Sequence, residues 1–262
     1  MPNHTITSLK ALKHQRPITM ITAYDALFAR LFASHIDVIL VGDSLNMSFL
    51  GAKDTLSATL EQMIYHTQAV CNGAPEAFVV CDMPFGSYNT PDEALRNAMK
   101  VYQTTPAAAV KIEGGATKAA TVRHLVDNGI AVVGHVGLMP QMVRADGGYS
   151  VKGKDEASMQ TILEDARAIE AAGAFMLVIE GVKTHVATAV AKALSIPVIG
   201  IGAGVDVDGQ VLVWSDMLGL FEAFTPKFVK TYMEGATQVR QAVKRYADEV
   251  QARTFPTPKE SY

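Results

Sequence analysis

The chain has 262 residues, 49% of them hydrophobic and 19% charged, which excludes a disordered chain and allows a sizeable buried core. Lys and Arg number 23 against 26 Asp and Glu, a formal net charge of −3 that leaves no basic footprint for nucleic acid or an anionic membrane surface. Two cysteines, Cys71 and Cys81, are too few for a disulfide framework and read as reduced thiols of a cytoplasmic protein.

The first 17 residues carry no apolar secretory core, and the longest apolar stretches, such as 196–205, fall short of a membrane span. A soluble globular protein is expected. In chain order, strands are predicted at Ile18–Thr22, Val38–Val41, Phe78–Cys81, Ala109–Ile112, Ala131–Val136, Phe175–Ile179 and Pro197–Ile201, with an eighth at Gln210–Val213. These are continuous apolar runs rather than alternating ones, as in a parallel sheet buried on both faces. Helical patterns lie between them. Thr59-Leu60-Glu61-Gln62 and Thr90-Pro91-Asp92-Glu93 have the form of capping boxes, and Gly129 and Gly173 stand where helices 117–128 and 155–172 need left-handed caps.

The predicted order is strand-helix throughout. A doubly wound open sheet has the same alternation, but eight units without a linker favour a closed (β/α)8 TIM barrel, residues 1–262 forming one domain. A peripheral amphipathic helix is expected at 234–249 and a tail at 254–262. Two connections are long, 44–58 and 137–154, and in a barrel both lie on the face where active sites sit.

Polar residues mark the strand ends. Asp43 and Ser44 follow strand two, Asp82 ends strand three, Lys111 and Glu113 lie in and after strand four, His135 in strand five, and Glu180 after strand six. Each has an ordinary alternative: a turn-forming Asp, a structural Lys111–Glu113 ion pair on one strand face, a hydrogen-bonded core histidine. Their convergence on one end of a barrel is the signal. Three carboxylates suit a hard divalent cation such as Mg²⁺. With Lys111 neutralising an anionic 2-oxo acid and Glu180, if burial raises its pKa, removing the adjacent proton, the set points to carbon–carbon bond chemistry through a stabilised enolate. The run GIGAG (200–204) is a weak phosphate-cradle motif that serves equally for close backbone packing.

The segments ITAYD (21–25), VGDSL (41–45), DMPFGSY (82–88), VKIEGG (110–115), GHVGLMPQ (134–141), GIGAG…DGQVLV (200–213) and PKFVK (226–230) occur in this order. Together they closely resemble the ketopantoate hydroxymethyltransferase family, over about residues 5–250. The resemblance implies a barrel of the phosphoenolpyruvate/pyruvate superfamily that transfers a hydroxymethyl group from 5,10-methylenetetrahydrofolate to 3-methyl-2-oxobutanoate in pantothenate biosynthesis. It further implies a Mg²⁺ site at Asp43, Asp82 and Glu113, the last directly or through water. It places the 2-oxo acid on Asp43, Ser44, Asp82 and Lys111, makes Glu180 the proton acceptor, and makes His135 a substrate-orienting pocket residue. The family is typically a homo-oligomer, a decamer of pentameric rings. Departures from its usual pattern are Met139, Thr104-Thr105-Pro106 and Ser57-Ala58, none of them a proposed ligand.

Three rival readings fit these residues less well. A related lyase needs a cysteine in a lid motif, which neither Cys71 nor Cys81 occupies. A sugar-phosphate barrel conflicts with the carboxylates, which repel a phosphate. An inactive binding barrel would have no reason to retain the whole polar set.

Overall fold

The computed structural model describes residues 3–222 and 224–262. The chain divides into two compact units, Met1–Val213 and Trp214–Tyr262.

The first unit is the barrel. Strands β1 (Ile18–Thr22), β2 (Val38–Val41), β3 (Phe78–Asp82), β4 (Ala109–Glu113), β5 (Val132–Gly137), β6 (Met176–Glu180), β7 (Val198–Ile201) and β8 (Gly209–Leu212) pair in sequence order. The ring closes through parallel pairing of β1 with β8. The continuous apolar runs have their expected cause: one parity of each strand fills the barrel and the other packs outward. Met20, Leu40, Val80, Val133, Val178 and Val211 belong to the interior cluster, each contributing roughly 1.5–3 kcal/mol if fully buried. Phe78 and Phe175 meet edge to face in the same cluster, with centroids 5.8 Å apart. Helix α1 (Ile6–Leu12), opened by a Thr5–Ser8 capping box, adds the fully buried Leu9 to it.

The remaining helices of this unit are α2 (Ala26–Phe32), α3 (Leu45–Ser48), α4 (Leu60–Gly73), α5 (Pro91–Thr104), α6 (Ala119–Asp127), α7 (Glu156–Ala171) and α8 (Thr184–Ala193). Thr59 and Gln62 form the reciprocal capping box of α4. At α5, Thr90 accepts the Glu93 N–H, but the Glu93 carboxylate accepts from the N–H of Asn89 instead of Thr90. Asn89 is pinned by its own amide to the Gly86 carbonyl, which presents its N–H to the first turn. Gly129 and Gly173 adopt the left-handed φ values of 84° and 102° that their cap positions require.

The alternation fails once. No helix separates β7 from β8 among the described residues; a short loop, 202–208, joins them. Asp208 makes this return possible. Its N–H donates to Val198, and its carboxylate accepts the Val198 N–H and pairs with Lys13 at 2.6 Å.

The second unit contains α9 (Trp214–Met217), α10 (Gly235–Gln251) and a 3₁₀ turn at Pro258–Glu260 where the sequence suggested only a tail. Arg240 of α10 clasps Glu222 through two bonds of 2.6 and 2.9 Å, while Val239, Val243, Tyr246 and Val250 form an exposed apolar stripe. Among the described residues, no helix is long and apolar enough to cross a membrane.

Candidate active site

Strand register assembles the polar residues. Asp82 on β3 stands opposite Lys111 on β4, Glu113 opposite His135 on β5, and Gly137 opposite Glu180 on β6. Alternation carries these side chains onto the inward rows that hold Val80, Ala109, Val133 and Val178 one step below. The apolar interior thus ends in a charged layer at the C-terminal strand ends, where barrel enzymes keep their chemistry.

Within that layer Lys111 Nζ lies 3.3 Å from Asp82 Oδ1, 3.6 Å from Glu113 Oε1 and 3.1 Å from His135 Nδ1. The His135 ring spans to Glu180. Its Nδ1 is 3.5 Å from Glu113 Oε1, and its Nε2 is 3.3 Å from Glu180 Oε2, at ion-pair range but outside hydrogen-bond geometry. Asp43 joins through its backbone N–H, which donates to Asp82 Oδ2 at 3.0 Å. Ser44 stands beside it, its hydroxyl 2.8 Å from that of Tyr24. Asp43, Asp82, Lys111, Glu113 and His135 are all buried, and Glu180 is the most open of the acids, with a side chain 18% exposed.

One residue of the site was not singled out from sequence. Gln141, in the long 137–154 connection, donates from its backbone N–H to Glu113 Oε2 at 3.0 Å. Its Nε2 donates to Asp43 Oδ2 at 2.9 Å and to the Met83 carbonyl at 3.0 Å, and its Oε1 accepts from the Tyr88 hydroxyl. Its presence in the GHVGLMPQ segment was the available signal.

The electrostatics follow from burial and crowding. Burial and the neighbouring Asp82 and Glu113 push the Asp43 carboxyl well above the usual carboxylate range, against Lys111 and Gln141. Burial also raises Asp82, and Lys111 only partly offsets it. For Glu113 the order reverses: burial would raise it, but chiefly the Lys111 ammonium holds it low. Lys111 is raised despite burial because Asp82, Glu113 and Asp43 surround it, so it remains an ammonium ion. Burial and Lys111 press the His135 imidazole down, yet Glu113 and Glu180 bring it up to about 9. That value conflicts with the 3.1 Å contact, because an ammonium at Nδ1 needs a lone pair there. The contact is the stronger constraint and favours a neutral ring with its proton on Nε2, towards Glu180.

The three predicted metal ligands are neighbours but do not converge as a set. Among the described residues, no three His, Cys, Asp or Glu side chains meet in a metal-holding arrangement. Lys111 sits between Asp82 and Glu113, and Glu113 Oε2 is taken by the Gln141 N–H. Asp43 and Asp82 nevertheless fit a hard cation. They are adjacent buried carboxylates, joined through the Asp43 N–H on Asp82 Oδ2, and Asp82 Oδ1 accepts no hydrogen bond among the described residues.

Two rival signals are structural. In the GIGAG loop a Cβ on Gly204 would meet Thr184 Cγ2 of α8 at 2.5 Å, and the Gly204 carbonyl accepts from Gln210, so these glycines serve close packing. Burial raises the thiols of Cys71 and Cys81 to about 11 and about 12, which leaves them inert. The two long connections meet at a cavity of about 540 Å³, lined by Leu56, Ser57, Phe85, Gln141, Met142 and Arg144. Arg144 pairs with Asp54 at 3.0 Å, tying one connection to the other.

A closed parallel barrel with a buried carboxylate–lysine–histidine cluster at its C-terminal strand ends defines a TIM-barrel enzyme. The family follows from comparison. Residues 3–258 match the family model described as ketopantoate hydroxymethyltransferase, and the chain belongs to that family of transferases. It is 60% identical over 262 residues to the 3-methyl-2-oxobutanoate hydroxymethyltransferase of Wolinella succinogenes, with all of both chains covered. It is 62% identical over 258 residues to the enzyme of the same name from Sulfurimonas denitrificans, covering 98% of each. Among solved structures it resembles phosphonopyruvate hydrolase complexed with oxalate and Mg²⁺, with a TM-score of 0.64 over 97% of this chain and 92% of that one. At 12% identity that likeness is one of fold.

Proposed function

We propose that this enzyme transfers a hydroxymethyl group from 5,10-methylenetetrahydrofolate to 3-methyl-2-oxobutanoate, producing 2-dehydropantoate for pantothenate biosynthesis in the cytoplasm. The observation that carries the reading is the buried cluster of Asp43, Asp82, Lys111, Glu113 and His135 with the more open Glu180 at its edge.

Asp43 and Asp82 would hold Mg²⁺, with Glu113 reaching it through water. When bound, a divalent cation supplies Lewis-acid polarisation of the 2-oxo acid, which acidifies the carbon next to the carbonyl. Lys111, kept as an ammonium by three carboxylates, neutralises the substrate carboxylate. Ser44 adds a hydroxyl contact beside Asp43. Glu180 accepts the C3 proton, and His135, within 3.3 Å of it, orients the acid and the substrate. Water releases the one-carbon unit at the aldehyde level, both of its bonds to folate nitrogens breaking and the two water protons passing to those nitrogens. The C3 electron pair then adds to that carbon, and its carbonyl oxygen takes up the proton held by Glu180 to become the hydroxyl. The cavity of about 540 Å³, with Phe85, Leu56 and Met142 as apolar walls and Arg144 as a cation, suits a flat, anionic co-substrate.

Homo-oligomerisation, as a decamer, belongs to the same proposal and is supported by the exposed apolar stripe of α10. Light scattering on the purified protein tests it.

The reaction is tested by proton NMR of 3-methyl-2-oxobutanoate in D₂O with the enzyme and either Mg²⁺ or EDTA. Loss of the C3 proton signal with Mg²⁺ and its retention with EDTA is the expected result. No exchange under any condition, with the folate donor included, rules out this substrate.

A further inference from the structure

We propose that Gln141 is a positioning residue that latches the 137–154 connection onto the carboxylates and sets the orientation of Asp43. Closing that connection and assembling the cation site are then one event. The proposal rests on the metal-dependent reading given above.

The geometry is specific. Of the described residues 138–152, only Gln141 is buried. Its neighbour Met142 is 41% exposed and the Arg144 side chain 76% exposed. The connection therefore enters the interior at a single side chain. That side chain bonds to groups that follow two different strands, Asp43 after β2 and the Met83 carbonyl and Tyr88 after β3, while the Gln141 backbone N–H reaches Glu113 at the end of β4. Both amide N–H donors and the amide oxygen are thereby committed, which a surface-loop glutamine does not need.

The consequences are directional. The amide at 2.9 Å fixes Asp43 Oδ2 and so the plane of the carboxylate, while the N–H on Glu113 Oε2 holds that acid back. Without the latch, Asp43 loses the bond that fixes the plane of its carboxylate and is free to rotate. Partners that orient metal-binding side chains in this way typically contribute a factor of about 10–100 in metal affinity. The 3₁₀ turn Pro140–Met142 supports the latch from the chain side, because proline fixes the backbone immediately before Gln141.

The test compares the full-length protein with Gln141→Met, which keeps side-chain volume and the backbone N–H, and with Tyr88→Phe, which removes only the hydroxyl donor. Mn²⁺ alone is titrated by electron paramagnetic resonance, and tryptic cleavage after Arg144 is timed with and without Mn²⁺. Gln141→Met is expected to weaken Mn²⁺ binding roughly tenfold or more. Cleavage should quicken, and the protection that Mn²⁺ confers on the wild type should vanish. Tyr88→Phe should move both readouts the same way by less, and it decides the matter if Gln141→Met does not fold. Wild-type Mn²⁺ affinity in a folded variant, whatever its melting temperature, overturns the proposal, as does an unchanged cleavage rate. A wild-type protein that binds no Mn²⁺ refutes the metal reading itself and the coupling with it. That outcome is distinct from wild type and variant binding equally.

Discussion

Lys111 Nζ lies 3.3 Å from Asp82 Oδ1, its cross-strand partner in the β3–β4 register, and both side chains are at most 4% exposed. An ammonium ion at this depth is stable only because Asp82, Glu113 and Asp43 surround it. Lys111→Met should therefore abolish 2-oxo-acid binding and also destabilise the fold, by about 3–5 kcal/mol at pH 8. The loss should shrink in acid, where the orphaned carboxylates take up protons. Denaturant titrations at pH 8 and pH 5, with calorimetric titration of the 2-oxo acid, measure both effects; unaltered acid affinity refutes the assigned role.

Asp43 illustrates a conflict between stability and activity. Burial and two like charges disfavour its ionised form, so Asp43→Asn relieves repulsion while its amide oxygen still accepts from Gln141. The metal-free variant is expected to be more stable than wild type by about 1 kcal/mol, while Mg²⁺-dependent C3 exchange falls at least about a hundredfold. Retained exchange would remove Asp43 from the cation site.

Glu180 is separable from binding because it stands at the open edge of the cluster. Glu180→Gln should bind the 2-oxo acid with nearly wild-type affinity and slow C3 exchange by about 10²–10⁴. Wild-type exchange in this variant would point to another base, His135 being nearest.

A pH dependence unrelated to catalysis arises at Asp37, just before β2. Burial alone would raise this carboxyl, but Arg16, at 2.6 and 2.8 Å, and the N–H and hydroxyl of Thr19 hold it well below the usual range. A depressed folded-state pKa stabilises the fold above the ordinary aspartate value near pH 4 and ceases to do so as pH falls below it. Asp37→Asn should thus lower stability at pH 7 by about 1.5–3 kcal/mol, with the gap to wild type closing below about pH 4. Parallel stability curves across that range would contradict the linkage.

The barrel was legible because parallel strands buried on both faces must be written as short apolar runs, and Val38–Val41 and Ala109–Glu113 stand where those runs stand. The chemistry at the strand ends was legible from convergence: Lys111 or His135 alone has an ordinary structural explanation, but a barrel interior has no need of so many charged groups at one end. The missing helix between β7 and β8 was hidden, since Asp208 closes that return through contacts with Val198 and Lys13 that no local pattern encodes. Gln141 was hidden more thoroughly. An uncharged residue in a Gly-rich connection carries no energetic anomaly in the sequence, and its importance begins only when folding buries it against Asp43 and Glu113. Periodicity and residue type alone determined the barrel and its charged rim, because burial and solvation act on each residue locally. Only the tertiary structure decided which charges share a partner, with Lys111 between Asp82 and Glu113 and Gln141 across Asp43, because strand register and loop closure join positions far apart in the chain, Asp43 and Gln141 being 98 residues apart.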